Sequence, residues 1–505
     1  MTNILTNEKV YKVIDISKCV YLCIFTLYLV VREVYALNYF IDNFYITGFF
    51  TAAALLFIGY DVLTNRFCFK TRYFTVAILF IVITVISCVL NREYGVFSNL
   101  KGLTTLGIYL FLLYPEAFKD KSNRTLSACL HTGFFSMTFF SLASLPMYIY
   151  NINYLCNKNG EPKDQGFVTR LGRLWGVFQD PNYLALFSLI AICSSVFIFA
   201  RSKSIFKKVV LILLDLIHVI VLSMTGSKMG YVITVAALCW LSIIVIFKKL
   251  SIKIIYRILA FMLAVAISLA APILISKSVS SFMPLVKKTV VHAGSAETYM
   301  NVHLFYDKIF SSGDLELTEG SAEELDMSKF PFDSLNSPVN RVDKPEEISN
   351  GRFERWIDGL KLIAEQPFFG LSPRNILSFA DKNDTDTLMN TMDATIHNTY
   401  LELFAGAGII GGIIIFIFLI FAAVYVIKTA LKFTPSVEIA ISTTLILIIA
   451  LSAILLPDII FFQLTFAGLI FWLCLGNCLN TDEEGYKKSL TYKLITKCFK
   501  RKTES

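Results

Sequence analysis

The sequence predicts an all-α polytopic membrane protein with about twelve transmembrane helices. The chain has 505 residues, of which 55% are hydrophobic. Only 17% are charged, against roughly a quarter in a soluble domain. Apolar runs of about 17 to 25 residues, the length that crosses a bilayer core, recur along the chain. The period-two alternation of a transmembrane barrel is absent.

The runs lie at roughly 16–34, 44–63, 73–90, 100–118, 126–150, 182–200, 207–224, 229–247, 254–276, 400–427, 437–456 and 458–478. No small-residue cleavage site follows the first, so it reads as a retained helix. The charges between runs alternate. Arg66, Lys70 and Arg72, then Lys119, Lys121 and Arg124, then Arg201, Lys203, Lys207 and Lys208, then Lys248, Lys249, Lys253 and Arg257 fall on one side, with Lys428, Lys432 and the basic tail. Short loops rich in lysine and arginine face the cytoplasm, so both termini are expected there. The organisation expected is a membrane bundle over 1–276 (helices 1–9), a large extracytoplasmic loop over 277–399, membrane helices 10–12 over 400–478, and a basic cytoplasmic tail over 479–505. A second, shorter outer segment covers 151–181.

Composition excludes several classes. The net charge of +8 reflects orientation and an anionic inner leaflet; no stacking aromatics punctuate the basic tail from Lys487 to Lys502, so nucleic acid is not expected as a partner. Of eleven cysteines, Cys156 alone falls in an expected outer loop, and no CxxC pattern appears. The i, i+4 pairs Cys19/Cys23 and Cys474/Cys478 sit in apolar runs and read as core. No metal spacing is evident among the outer carboxylates, so neither a metal nor a cofactor is expected.

Four outer segments carry candidate chemistry. In "GRFERWIDGLKLIAEQPFFG", 351–370, a helix ends before Pro367. Phe353, Trp356, Ile357, Leu360, Ile363 and Ala364 form one stripe. Glu354, Asp358, Glu365 and Lys361 line one flank, and Arg352, Arg355 and Gly359 the other. Two arginines one turn apart can grip a diphosphate. The same pattern also describes an amphipathic helix lying on the membrane. In "RLGRLWGVFQDPNYLALF", 170–187, Arg170, Arg173 and Asn182 stand before a span, and Asp180-Pro181 can cap it. "LSMTGSKMGYVI", 222–233, is a tight turn carrying Lys228, which can equally snorkel at the interface. "IHNTYLELFAGAGIIGG", 396–412, begins with His397 and Asn398 and continues through Glu402 into an apolar run. A histidine there titrates near neutral pH. His397 and Glu402 are five residues apart, about 140° around a helix, so they can pair only if His397 precedes the helix. Asp458 lies at the turn between the last two spans. Asp215 and His218, one turn apart within a span, are separate candidates for function or mutual pairing.

These four segments together resemble the O-antigen ligase and O-antigen polymerase superfamily of bacterial membrane glycosyltransferases. "RLWGVFQDPNYLA" is similar to the family's Arg-x-x-Gly…Pro-Asn stretch, and "LSMTGSKMGY" to its Ser-Arg-Gly helix start. "GRFERWIDGLKLIAEQPFFG" is similar to its arginine-containing loop helix and Pro-x-x-Gly turn, and "HNTYLELFAGAGIIGG" to its His-Asn helix start. The order of segments and the long loop between helices 9 and 10 also fit, whereas the first 160 residues match only in hydropathy. The resemblance implies a type C glycosyltransferase-like fold in the bacterial plasma membrane. It implies a donor glycan on undecaprenyl diphosphate, presented at the outer face, and an acceptor sugar hydroxyl. By position, His397 would be the general base and Arg352 would hold the diphosphate. Arg173, Lys228, Arg355, Asn182, Asn398 and Glu402 would complete the substrate site. Lys228 stands where the family has arginine, keeping the charge but losing the bidentate fork. The reading is a repeat-unit polymerase for O-antigen, capsule or exopolysaccharide, which would work beside a flippase and a chain-length regulator. A ligase acting on lipid A–core is the alternative. A flippase or transporter is the competitor from another class, but transporters usually show two similar halves, whereas these spans divide nine and three.

Overall fold

A computed structural model describes residues 8–42, 44–64, 74–120, 122–150, 152–158, 161–168, 172–249, 253–291, 351–383, 385, 387, 395–432 and 436–479. Arg170, the basic tail and most of the large loop lie outside them, including the acidic stretch "DLELTEGSAEELD" at 314–326 and Ser349 and Asn350, either of which could cap the helix expected after them. The chain is an all-α polytopic membrane protein. Among the described residues, eight helices are long and apolar enough to cross a membrane: α1 (Glu8–Arg32), α3 (Phe44–Leu63), the continuous rod Val96–Lys119, α7 (Arg124–Ile149), α8 (Pro181–Arg201), α10 (Lys228–Lys249), α11 (Ile254–Val291) and α14 (Thr399–Lys432). The rod joins α5 (Val96–Ile108) to α6 (Tyr114–Lys119) through a π-helical turn at Tyr109–Leu113. Shorter apolar helices are α4 (Phe74–Leu90), α15 (Val437–Ser452) and α16 (Phe466–Leu479). Helix α9 (Ile205–Met224) is of similar length but carries Lys207, Lys208 and Asp215.

The bundle packs around α16, whose residues are all buried. Trp472 stacks on Tyr109 and Phe418, with ring centroids 6.2 and 6.0 Å away, and donates its indole N–H to the Ile460 carbonyl at 2.7 Å. In lipid such close packing and interhelical hydrogen bonding replace the hydrophobic drive available in water. Lys18 of α1 is buried and meets both oxygens of Asp61 of α3 at 2.7 Å, with Glu116 of α6 at 3.5 Å. Asp215 accepts from Ser195 at 2.7 Å, while His218 meets Thr138 and Ser141 at 3.0 and 3.3 Å. These two residues therefore tie α9 to two different helices instead of pairing with each other.

One end of the bundle is capped. Strands β1 (Asn153–Lys158), β2 (Glu161–Val168) and β3 (Arg173–Gly176) form an antiparallel sheet in that order. A bridge between Val34 and Phe178 joins this sheet region to the α1–α2 corner, where α2 is Tyr35–Ile41. Helices α12 (Arg352–Glu365) and α13 (Ile376–Lys382) lie at the same end. The expected boundary at 276/277 falls inside α11, which continues to Val291. Its Lys287 lies over the rings of Tyr148 and Phe167, at 5.3 and 6.0 Å, and so holds the far end of α11 to the sheet.

Two irregular backbone segments reach into the bundle. Helix α14 is broken at Gly408, with φ 69° and ψ 178°. The break leaves orphan backbone groups, which lipid cannot satisfy. The turn after α12 fills them. Ile409 N–H donates to the Pro367 carbonyl and Leu371 N–H to the Ala405 carbonyl, both at 2.7 Å. Ser87 of α4 donates to Gly406 O at 2.9 Å, and Asn91 to Gly370 O at 2.8 Å. A Cβ on Gly408 would collide with the Phe368 carbonyl. This backbone region admits essentially only glycine and costs other residues about 1–3 kcal/mol before any clash. Gly408→Ala should therefore lower the unfolding temperature in detergent by several degrees; an unchanged value would show that the break is not fixed by this turn.

Residues 453–465, between α15 and α16, are the second such segment. Tyr109 Oη donates to Gln463 O at 2.6 Å, Thr399 Oγ1 donates to Leu456 O and Pro457 O at 3.1 Å, and the Asp458 carboxylate accepts from Phe461 and Phe462 N–H. Non-helical backbone at membrane depth, buried in protein, is characteristic of helices that border a cavity.

Candidate active site

Three parts of the chain meet at the capped end. The first is the start of α8. Asp180 caps it, accepting Asn182 N–H at 2.6 Å, as its place before Pro181 suggests. Asn182 Oδ1 accepts from Ser227 Oγ at 2.7 Å and from Arg173 Nη2 at 3.4 Å. Arg173 is only 7% exposed and also donates to the Thr225 carbonyl at 2.8 Å. Ser227 caps α10 by accepting Gly230 N–H at 3.0 Å. Lys228, the next residue, is exposed at the first turn of α10. Two helix N-termini, Arg173 and Lys228 thus share one locality, a combination that favours anions.

The second part is the start of α14. His397 has φ 54°, unusual for a non-glycine residue, and precedes the helix, the only arrangement that allows it near Glu402. Asn398 is the cap: its Oδ1 accepts from Tyr400 and Leu401 N–H at 3.0 and 3.1 Å. Glu402 Oε2 accepts Asp458 N–H at 2.7 Å, and the backbone of His397 faces the same carboxylate. Asp458 is 5% exposed. Tyr183 of α8 lies in the field of Asp180, Glu33, Glu402 and Asp458, which connects this part to the first.

The third part is α12. Asp358 pairs with Lys361 at 2.8 Å on one flank, as the helical spacing requires. Gly359 packs on Ile396, the residue before His397; a Cβ there would stand 3.0 Å from Ile396 Cγ2. Leu362, Leu371, Phe379, Ala380, Ile396 and Ala405 form the small core beneath. The helix carrying Arg352 and Arg355 is thereby seated on the segment that carries His397. Both arginines are half-buried, and burial lowers the pKa of Arg355. The expected apolar stripe is split. Trp356 and Ile363 pack against the small core, whereas Phe353, Ile357 and Leu360 are 55–60% exposed and turn away from the protein. Gly359→Leu should push α12 off Ile396 and cut activity at least tenfold while leaving the amount of protein in the membrane unchanged; full activity would show that this contact does not position α12.

Residues 210–416 match the family model described as O-antigen ligase. Over this segment the chain is similar to the O-antigen ligase family. The matched segment contains Lys228, Arg352, Arg355, His397, Asn398 and Glu402, and it supports a transferase of O-antigen ligase/polymerase type acting in the membrane on lipid-linked glycan and an acceptor. Arg173 and Asn182 precede it and join the site through Thr225 and Ser227. A search of curated proteins gave no match.

Sequence reasoning missed part of the site. Arg32 lies 3.6 Å from Asp42, and both fall in the field of Arg374, which also senses Asp458 and Glu402. Glu33 beside Arg32 is buried, which raises its pKa to about 7 against the opposing charge of Arg32. The only linear signal was Arg374 in "GLSPRN", just after the Pro-x-x-Gly turn. Arg32, Glu33 and Asp42 stood in the part of the chain that matched by hydropathy alone.

Proposed function

We propose that this protein is a glycosyltransferase that polymerises undecaprenyl-diphosphate-linked oligosaccharide repeat units at the outer face of the bacterial plasma membrane, the capped end of the bundle facing outward. Both termini would lie in the cytoplasm, in keeping with the basic loops. The observation that carries the reading is the seating of α12 on Ile396 through Gly359, which brings the diphosphate-binding candidates Arg352 and Arg355 to the His397 segment.

In this mechanism His397 removes the proton of an acceptor sugar hydroxyl. The resulting oxygen attacks the anomeric carbon of the donor glycan, and the bond to the diphosphate oxygen breaks. Arg352 and Arg355 stabilise the negative charge that develops on the leaving diphosphate, with Lys228, Arg173 and the α10 N-terminus adding to the field. Asn398 and Glu402 hold the start of α14 in register. One direct displacement inverts the anomeric centre. NMR of the product linkage tests this: an inverted centre is expected, and retention would contradict single displacement.

Polymerase and ligase give different phenotypes. A strain lacking the protein should accumulate lipid-linked single repeats and lose long chains of O-antigen, capsule or exopolysaccharide. Long chains left on the lipid carrier would instead indicate a ligase. Unchanged polysaccharide would contradict both. A flippase and a chain-length regulator are the partners this reading expects.

A further inference from the structure

Helix α12 presents three kinds of surface around its axis. Gly359, Leu362 and the half-buried Trp356 and Ile363 face the small core. Glu354, Lys361 and Glu365 are exposed in one polar sector. Phe353, Ile357, Leu360 and Ala364 are exposed in a separate sector; their spacing of i, i+4, i+7 and i+11 makes them one apolar edge along the helix. In water alone an exposed face carries polar side chains. An apolar sector set apart from a polar one marks a helix that also borders hydrocarbon.

The level of α12 against the bilayer follows from α14. After the break at Gly408, the uncharged run 409–427 is about 28 Å long as a helix, close to the roughly 30 Å of a bilayer core, and Lys428 follows it. Gly408 therefore stands at the border of the core on the capped side. The turn that leaves α12 is bonded to that border: Pro367 O accepts Ile409 N–H at 2.7 Å, and Phe368 O accepts Ile410 N–H at 3.3 Å. The Phe368 side chain is 68% exposed, and Ile409, Ile410, Ile413 and Phe416 of the span are exposed as well. The exposed apolar residues of α12 thus lead along the chain, through Phe368, to the lipid-facing surface of a membrane span.

We propose that α12 is an interfacial helix whose apolar edge is buried in the leaflet at the capped end, where it sets the depth of Arg352 and Arg355. A lipid-borne diphosphate lies at headgroup level, just above the hydrocarbon, and a helix seated in this way holds its arginines at that level. The depth-setting role rests on the glycosyltransferase reading; the lipid contact does not. In the test, full-length protein carries p-benzoylphenylalanine in place of Phe353, Leu360 or Phe368, or in place of Glu354 or Lys361 as water-facing controls. Each form is irradiated in liposomes of phosphatidylethanolamine and phosphatidylglycerol, and mass spectrometry identifies what each position has captured. Phospholipid adducts are expected at Phe353, Leu360 and Phe368, at a yield about fivefold or more above that at Glu354 and Lys361. Equal yields at every position overturn the orientation. Absence of lipid adducts, or capture of residues 292–350 or of a second copy of the chain in their place, overturns the lipid contact. The Ile357→Asp/Leu360→Asp double variant leaves the small core untouched and should lower transfer from a lipid-linked donor about fivefold or more at an unchanged membrane level. Full transfer in that variant overturns the depth-setting role. If the wild-type protein transfers nothing, the glycosyltransferase reading fails, while the adducts still decide the lipid contact.

Discussion

Replacing His397 with alanine is expected to abolish polymer, with transfer reduced by about 10²- to 10⁴-fold, the contribution a positioned general base makes. The side chain is carried on a left-handed residue between buried Ile396 and the Asn398 cap. Removing it leaves the cap, the Thr399 contacts to Leu456 and Pro457 and the Glu402–Asp458 bond intact. Membrane levels and thermal stability should accordingly stay close to wild type. Wild-type chain lengths in this variant would remove His397 from the chemistry. Loss of polymer together with loss of the protein would point instead to a structural role.

Arg352 offers the second large effect. Arg352→Ala should cost roughly 3–4 kcal/mol of transition-state stabilisation, the scale of one fixed donor aimed at developing charge. Arg352→Lys keeps the charge and loses the planar fork, so it should fall between alanine and wild type. The position opens α12 after Gly351, whose φ of 69° turns the chain into the helix, so neither change should unfold it. Full activity of the lysine variant would show that charge alone suffices. Full activity of the alanine variant would remove Arg352 from the site.

Much of this arrangement was legible from local pattern. Apolar length placed the spans, helical spacing placed Asp358 beside Lys361, and the Asp180-Pro181 pair announced the α8 cap. What stayed hidden depends on contacts between distant segments. The break at Gly408 is written only as "AGAGIIGG", a run equally suited to close helix packing, and it becomes necessary only when the Pro367–Ser372 turn inserts against it. Asp458 was expected at the turn between the last two spans, but nothing local showed that residues 453–465 leave the helix, because the groups that satisfy that backbone lie on Tyr109, Thr399 and Glu402. The α12 stripe was visible, but its division between the core and an exposed apolar edge was set by where Gly359 meets Ile396. Arg374 and Arg32 carried no motif of their own and joined this end of the bundle through the fold.

The most direct test of the central claim is reconstitution. Purified protein in liposomes would receive lipid-linked repeat units as both donor and acceptor, with no nucleotide sugar added. The account predicts a ladder of longer glycans on the lipid and release of the lipid diphosphate in matching amounts, with both signals lost in His397→Ala and Arg352→Ala. A wild-type protein that binds the substrate yet forms no glycosidic bond with any supplied glycan acceptor, or one that works equally well without either side chain, would contradict it.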